Sequence, residues 1–131
     1  MTAHTASCRC GQLTATATGE PVRVSVCHCL DCQRRSGSAF AAQVRFPAEQ
    51  VTIAGNSTEY AHAGGGGNIA RFHFCPTCGD SVYFTNDTIP ETIAIALGTL
   101  ANPFAFTPNF SVWENRKHDW IEITGDGIEH D

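Results

Sequence analysis

Seven cysteines occupy three short clusters of the 131-residue sequence, and their spacing is suited to the chemistry of thiolates. The clusters are Cys8-Arg9-Cys10, Cys27-His28-Cys29-Leu30-Asp31-Cys32 and Cys75-Pro76-Thr77-Cys78. Cysteines two or three positions apart can bind one soft metal ion, because a turn or an extended segment directs both sulfurs to the same side. An odd number of cysteines excludes complete disulfide pairing within one chain. The pattern therefore indicates metal sites.

The last cluster has the spacing of a zinc knuckle, and Gly79 after it lets backbone amides approach the sulfurs. A closed tetrahedral site needs four ligands, and the knuckle supplies two of them. The first cluster can supply the other two if its chain is extended. The sequence thus predicts a structural zinc site with four ligands: Cys8, Cys10, Cys75 and Cys78. The alternative is a set of buried cysteines without metal.

The middle cluster predicts a second site, made by Cys27, Cys29 and Cys32. Three protein ligands leave one position of a tetrahedral zinc ion open, and open positions are typical of catalytic sites. Zinc with three thiolates carries a net charge of about −1, so it suits a soft incoming thiol better than the generation of hydroxide. The sequence therefore predicts a catalytic-type zinc that binds a thiol.

Two alternatives for the middle cluster stay open. It could be a second structural zinc site, with a fourth ligand from His73, His118 or another chain. It could instead hold redox-active cysteines without metal. His28 would point away from its two cysteine neighbours in an extended segment, so we expect it to pack or to form a hydrogen bond.

The basic turn after Cys32 predicts substrate contacts from Arg34, Arg35, Ser36, Gly37 and Ser38. Guanidinium groups can bind substrate carboxylates in a bidentate manner. The backbone amides that follow could form an anion-binding nest. An exposed basic turn without such a role is the alternative.

Alternating apolar and polar residues predict strands along most of the chain. The expected strands are 13–18, 22–26, 40–46, 51–54, 57–62, 69–74, 82–84, 93–97 and 120–123. No amphipathic helix of ten residues is evident, and only short turns are expected after Cys29 and Asn102. The sequence predicts one all-β domain over residues 1–131, with curved sheets. Gly64–Gly67 is either a hairpin tip or a mobile loop over a ligand.

Composition limits the partners. A net charge of −5 argues against nucleic-acid binding, which needs a concentrated basic face. No run of about 18 apolar residues predicts a membrane span, and the N-terminus lacks the pattern of a signal peptide. We therefore expect a cytoplasmic protein whose partners are small molecules. The sequence does not indicate its oligomeric state.

The three blocks together resemble the glutathione-dependent formaldehyde-activating enzyme family, which also contains centromere protein V. The resemblance is carried by Cys8-x-Cys10-Gly11, by Cys27-His28-Cys29-x-x-Cys32-Gln33-Arg34-x-Ser36-Gly37-Ser38, and by Phe74-Cys75-x-x-Cys78-Gly79. Val112–Trp120 and Asp126-Gly127-Ile128 resemble the C-terminal end of the family. The resemblance therefore covers nearly the whole chain.

The resemblance implies a β-tent-like fold of curved antiparallel sheets with a zinc-ribbon-like site. It also implies two zinc ions, one structural and one catalytic, on the two sets of cysteines described above. The implied activity adds glutathione to formaldehyde and gives S-hydroxymethylglutathione, which is classed with the carbon–sulfur lyases. A non-catalytic thiol-binding or protein-interaction module is the alternative. The sequence departs from the family's usual residues at Ala39, Asp80 and Asn109, so its substrate contacts can differ.

Overall fold

The computed structural model describes residues 1–64 and 66–131, and this part of the chain consists mainly of strands. The strands are β1 (Ala3–Ser7), β2 (Thr14–Thr18), β3 (Arg23–Cys27), β4 (Ala41–Pro47), β5 (Val51–Ala54), β6 (Thr58–Ala63), β7 (Ile69–Phe74), β8 (Ser81–Asn86), β9 (Thr92–Ala96), β10 (Phe110–Val112) and β11 (Glu129–His130). One α-helix, α1 (Leu30–Ser36), lies between β3 and β4 in the described residues, which also hold three short 3-10 helices: Ala48–Gln50, Leu97–Thr99 and Glu114–Arg116. The predicted all-β class is confirmed.

Two sheets form the fold. The smaller has the order β1-β2-β5 and the larger the order β11-β10-β3-β4-β9-β8-β7-β6. Most neighbours are antiparallel, but β10 runs parallel to β3 and β11 runs parallel to β10. The long connection between β9 and β10 allows this parallel return, which a short hairpin could not provide. The large sheet is therefore mixed rather than purely antiparallel.

Three strands were not anticipated, and one expected strand does not form. β1, β10 and β11 are short or polar and carry little alternation. The segment 120–123 has no strand, although Ile121 is buried. Gly64–Gly67 connects β6 to β7, which pair up to Ala63 opposite Ile69. Because Gly65 lies outside the described residues, the choice between hairpin tip and mobile loop stays a prediction.

The core lies between the two sheets, as the alternation predicts. Leu13, Ala15 and Ala17 are fully buried on one side, and Val44 and Phe46 meet them from the large sheet. These contacts bury the apolar face of each sheet, which is the main favourable contribution to folding.

The opposite side of the large sheet carries the second cysteine cluster, and we call it the cysteine face. It is defined by cross-strand neighbours that share this side of β3 and β4: Arg23 with Arg45, Ser25 with Gln43, and Cys27 with Ala41. The row of cross-strand partners that contains Arg45 continues across the sheet through Ala94 on β9, Phe84 on β8, Phe72 on β7 and Tyr60 on β6. Within the described residues, no helix is long and apolar enough to cross a bilayer.

Candidate metal centres

The four cysteines of the predicted structural site converge, although Cys10 and Cys75 are 65 residues apart. Their sulfurs all lie within 4.8 Å of one another. The Sγ of Cys10 is 3.6 Å from those of Cys8 and Cys75. Four sulfurs around a tetrahedral zinc ion, each about 2.3 Å from it, are about 3.8 Å apart. All four cysteines are unpaired, so the cluster has the spacing of a metal site rather than of disulfides.

Two turns bring these cysteines together. The first joins β1 to β2, where the Cys8 amide donates to the Leu13 carbonyl at 3.0 Å. The second joins β7 to β8, where the Gly79 amide donates to the Cys75 carbonyl at 2.8 Å. Gly79 has φ +82°, a conformation that glycine adopts without steric cost. The facing turns form the zinc-ribbon-like arrangement that the family resemblance implies.

Amide groups point at the sulfurs of this cluster. The Gln12 Nε2 donates to the Cys75 Sγ at 3.0 Å, and the Thr77 amide approaches the same sulfur at 3.4 Å. Burial alone would raise the pKa of the Cys75 thiol, but hydrogen bonds from the backbone amides of Cys78 and Thr77, the Gln12 side chain and the Cys10 thiol lower it to about 6. Such donors stabilise thiolates and orient metal ligands. The donor set therefore fits zinc.

The second cluster forms where β3 ends and α1 begins. The sulfurs of Cys27, Cys29 and Cys32 lie within 4.8 Å of one another. Cys29 caps the helix, since its Sγ accepts the Cys32 amide at 3.3 Å. This junction places three thiols within six residues of chain.

The three thiols have different acidities. Hydrogen bonding from Cys27, together with contributions from Cys29 and the positive charge of Arg35, lowers the pKa of Cys32 to about 6 despite burial. The hydrogen bond with Cys32 and burial raise the pKa of Cys27, and burial raises the pKa of Cys29. Cys32 is therefore the thiol that ionises first when no metal is bound.

His28 lies on the other side of the sheet from Cys27 and is fully buried. Its Nε2 is 2.9 Å from the Ser111 Oγ, which confirms the expected hydrogen-bonding role. Among the described residues, no histidine or carboxylate joins the three cysteines within 4.8 Å. His73 instead contacts the Ser57 Oγ at 2.8 Å, and His118 contacts the Gln33 Oε1 at 2.8 Å. The described residues thus offer three ligands to this cluster, which would leave one position of a tetrahedral ion open.

A cavity of about 390 Å³ lies beside Cys32. Its lining combines charged residues of α1 with aromatic side chains of β6 and β7: Asp31, Cys32, Arg34, Arg35, Tyr60, His62, Phe72, Phe74 and Ser81. A second cavity of about 450 Å³ shares Arg35 and Ser81 with the first. The two cavities therefore flank Arg35, next to the second cluster.

Arg35 is held close to the thiols. Its Nη2 lies 3.8 Å from the Cys32 Sγ. Its Cζ is 4.7 Å from the centre of the Phe72 ring and 5.1 Å from that of Phe84. Stacking on two rings restricts the guanidinium and keeps a positive charge beside the most acidic thiol.

The predicted anion nest does not form at the end of α1. The Gly37 and Ser38 amides both donate to the Gln33 carbonyl, at 2.9 and 3.3 Å, and close the helix. Ser36 lines the second cavity, while its hydroxyl donates to the Cys32 carbonyl at 2.8 Å. Substrate contacts from Ser36, Gly37 and Ser38 stay a prediction.

No pattern in the sequence predicts that His62 and the aromatic side chains of Tyr60, Phe72 and Phe74 line the cavity beside Cys32. Tyr60 and Phe72 are cross-strand partners on β6 and β7, far from α1 in sequence. The alternation of apolar and polar residues along these segments predicts strands, but it does not predict which helix the strands will pack against. Only the topology of the large sheet places them opposite Cys32.

The fold and the two clusters together define a β-sheet protein with one closed and one open cysteine site, each suited to a metal ion. The family model described as glutathione-dependent formaldehyde-activating enzyme matches residues 3–116, and the chain belongs to this family. No curated protein matches the sequence.

A similar solved structure is the crystal structure of a Rhodobacter sphaeroides protein, a structural genomics target. It is 21% identical, with a TM-score of 0.58 over 75% of this chain and 88% of that chain. At this identity the likeness concerns the fold alone.

Proposed function

We propose that the protein is a zinc-dependent enzyme of the carbon–sulfur lyase type, which condenses a thiol with formaldehyde or another small aldehyde. The family description favours glutathione as the thiol. The observation that carries the proposal is the convergence of Cys27, Cys29 and Cys32 within 4.8 Å beside a cavity. The four-cysteine cluster would hold a second, structural zinc ion. The cytoplasm, where thiols are kept reduced, suits this reaction.

A zinc ion on the three cysteines would lower the pKa of an incoming thiol and so supply a thiolate at neutral pH. Arg34 and Arg35 line the cavity with their positive charges and can bind the carboxylates of a peptide thiol. Phe72 and Phe74 line the same cavity and would reduce the access of water to a thiol bound there. The cavity is larger than formaldehyde needs, which fits its role as the thiol site.

The bond changes are those of addition to a carbonyl group. The thiolate sulfur attacks the carbonyl carbon, a C–S bond forms, and the π electrons of the C=O bond move to oxygen. That oxygen then takes up the proton that the thiol lost when it became a thiolate, so the addition has no net loss or gain of protons. His62 lines the same cavity, and its Nε2 is 3.3 Å from the Asp31 Oδ2, so we assign the proton transfer to His62.

The test measures S-hydroxymethylglutathione from glutathione and formaldehyde with the metal-loaded protein, above the spontaneous rate. Cys29→Ser is the matched control, because it removes a ligand of the open cluster and leaves the closed cluster intact. Acceleration by the wild type and not by the variant supports the proposal. If several thiols bind but the reaction with several aldehydes is not accelerated, the result contradicts an enzymatic function and favours a non-catalytic thiol-binding module.

A further inference from the structure

Two arginines lie directly opposite each other on the cysteine face. Arg23 on β3 and Arg45 on β4 are cross-strand partners. Like charges in this position destabilise a sheet unless something compensates them. Among the described residues, no carboxylate oxygen lies within 4.0 Å of either guanidinium, whereas Arg9 and Arg71 both have acidic partners. The pair is therefore an unneutralised concentration of positive charge in a chain of net charge −5.

The protein's own contacts hold this pair without neutralising it. The Arg23 Cζ lies 4.1 Å from the centre of the Phe110 ring. The Arg45 Nη1 donates to the Thr92 Oγ1 at 3.4 Å. Burial lowers the pKa of Arg45, and the neighbouring Arg23 charge lowers it further. Both side chains are half-buried, so a bound anion would meet them with reduced competition from water.

Unused hydrogen-bonding atoms lie next to the pair. The Arg23 Nε is buried and has no partner. Gln43, two residues from Arg45 on the same face, is 6% exposed, and its Oε1 is buried without a partner while its Nε2 donates to the Ser25 Oγ at 2.9 Å. Buried polar atoms without a partner in the protein are costly, so a bound water molecule or ligand is needed to satisfy them. An unused donor and an unused acceptor suit a ligand that carries both an anionic group and an N–H.

The same face connects the pair to the thiols. Phe84 contacts both Arg45, at 5.9 Å from the ring centre, and Arg35, which lies beside Cys32. Cys27 and Arg23 are four residues apart on β3, which is about 13 Å along an extended strand. A three-residue thiol spans about 10 Å when extended, and the arginine side chains can reach toward it.

We propose that Arg23 and Arg45 form an anion-binding subsite that takes a carboxylate or phosphate group. Its occupant is the carboxylate of the thiol substrate, with a substrate N–H on Gln43, or a free inorganic anion of the same chemistry. The first source rests on the proposed function. The subsite itself does not, because its occupancy can be measured without turnover and with a probe that does not coordinate the metal.

The experiment measures binding by calorimetry to the folded, metal-loaded protein. The probes are S-methylglutathione, its dimethyl ester and inorganic phosphate. S-methylglutathione has no free thiol, so neither reaction nor thiolate–zinc coordination contributes. The variants are Arg45→Gln and Arg23→Gln, with Arg45→Lys and Arg23→Lys as replacements if either fails to fold. Arg116→Gln is the matched control, since it removes the same charge from an exposed side chain.

The expected result is a loss of at least about tenfold in affinity for S-methylglutathione in either variant, because a charge-assisted hydrogen bond is removed. The dimethyl ester should bind the wild type as weakly as S-methylglutathione binds the two arginine variants. The Arg116→Gln control should bind S-methylglutathione with the same affinity as the wild type. Arginine-dependent binding of phosphate alone supports the subsite and assigns it to a free anion. Equal affinity of acid and ester in the wild type, with no effect of the two arginines on any probe, overturns the proposal.

Discussion

Arg9 and Asp80 join the two halves of the four-cysteine cluster. Arg9 stands between Cys8 and Cys10, and Asp80 follows the Cys75–Cys78 knuckle. The Asp80 carboxylate accepts hydrogen bonds from Arg9, including one from the backbone amide at 2.8 Å and one from Nη2 at 2.9 Å. The hydrogen bonds from Arg9 lower the pKa of Asp80, so the carboxylate stays ionised at neutral pH. One residue from each half, Arg9 between its two cysteines and Asp80 after the other two, thus fixes the distance between the halves.

We expect Asp80→Asn to release zinc from the four-cysteine site to a chelator more readily, by about tenfold, because groups that orient metal ligands typically contribute this much to affinity. Asp87→Asn is the matched control. Asp87 also accepts two hydrogen bonds from one arginine, Arg71, but has no part in the cluster. Equal zinc retention in the two variants would show that the Arg9–Asp80 pair does not brace the site.

The two clusters should respond differently to loss of a ligand. We expect wild-type protein to contain two zinc ions, Cys29→Ser to contain one and stay folded, and Cys75→Ser to unfold. Structural zinc typically contributes about 10 kcal/mol or more, comparable to the stability of a whole domain. Elemental analysis and circular dichroism measure both quantities. A single ion in wild type and Cys29→Ser alike would remove the second metal from the proposal.

Gly55→Ala should destabilise the protein and weaken the four-cysteine site. Gly55 has φ +92°, and a Cβ there would collide with the Gln12 backbone carbonyl. Gln12 donates to the Cys75 Sγ, so displacing it disturbs a ligand. Gly66→Ala is the matched control, because Gly66 also has φ +92° but open space around it. We expect an extra loss of about 1–3 kcal/mol in Gly55→Ala, measured by denaturant unfolding. Equal losses would show that only the backbone conformation matters.

Arg35 should set the reactivity of Cys32 once mild chelation has emptied the open site. The pKa of Cys32 is about 6 against an ordinary 9.0, through hydrogen bonding with Cys27 and Cys29 and the charge of Arg35. A lowered pKa keeps the thiolate present down to about pH 6, so alkylation should slow only below that pH. Arg35→Gln should move this midpoint upward, toward 9.0.

The matched control for that experiment is Arg34→Gln. Arg34 lies on the same helix and carries the same charge, but it is exposed. Mass spectrometry locates the alkylated cysteine, and its rate is followed against pH. An unchanged midpoint in Arg35→Gln, or an equal shift in Arg34→Gln, would show that Arg35 has no specific effect on Cys32.

Features that depend only on residues close together in the sequence could be predicted for much of the site. The grouping of the cysteines follows from chelating spacings, and the burial of Leu13, Ala15 and Ala17 follows from alternation. The cavity wall was not predictable, since Tyr60 and Phe72 meet Cys32 only through the order of strands in the large sheet. Likewise, the parallel return of β10 depends on a long connection whose path no local pattern specifies.

The separation of the ligands along the chain bears on when each metal ion can be acquired. The three cysteines of the second cluster lie within six residues, so an unfolded chain can already capture an ion there. Binding that the unfolded state shares adds little to the free energy of unfolding. The other cluster unites positions 65 residues apart and can form only after distant segments have met. An ion bound early by Cys27, Cys29 and Cys32 would therefore not restrict the rest of the unfolded chain, whereas an ion bound by the four-cysteine cluster would stabilise only the folded structure.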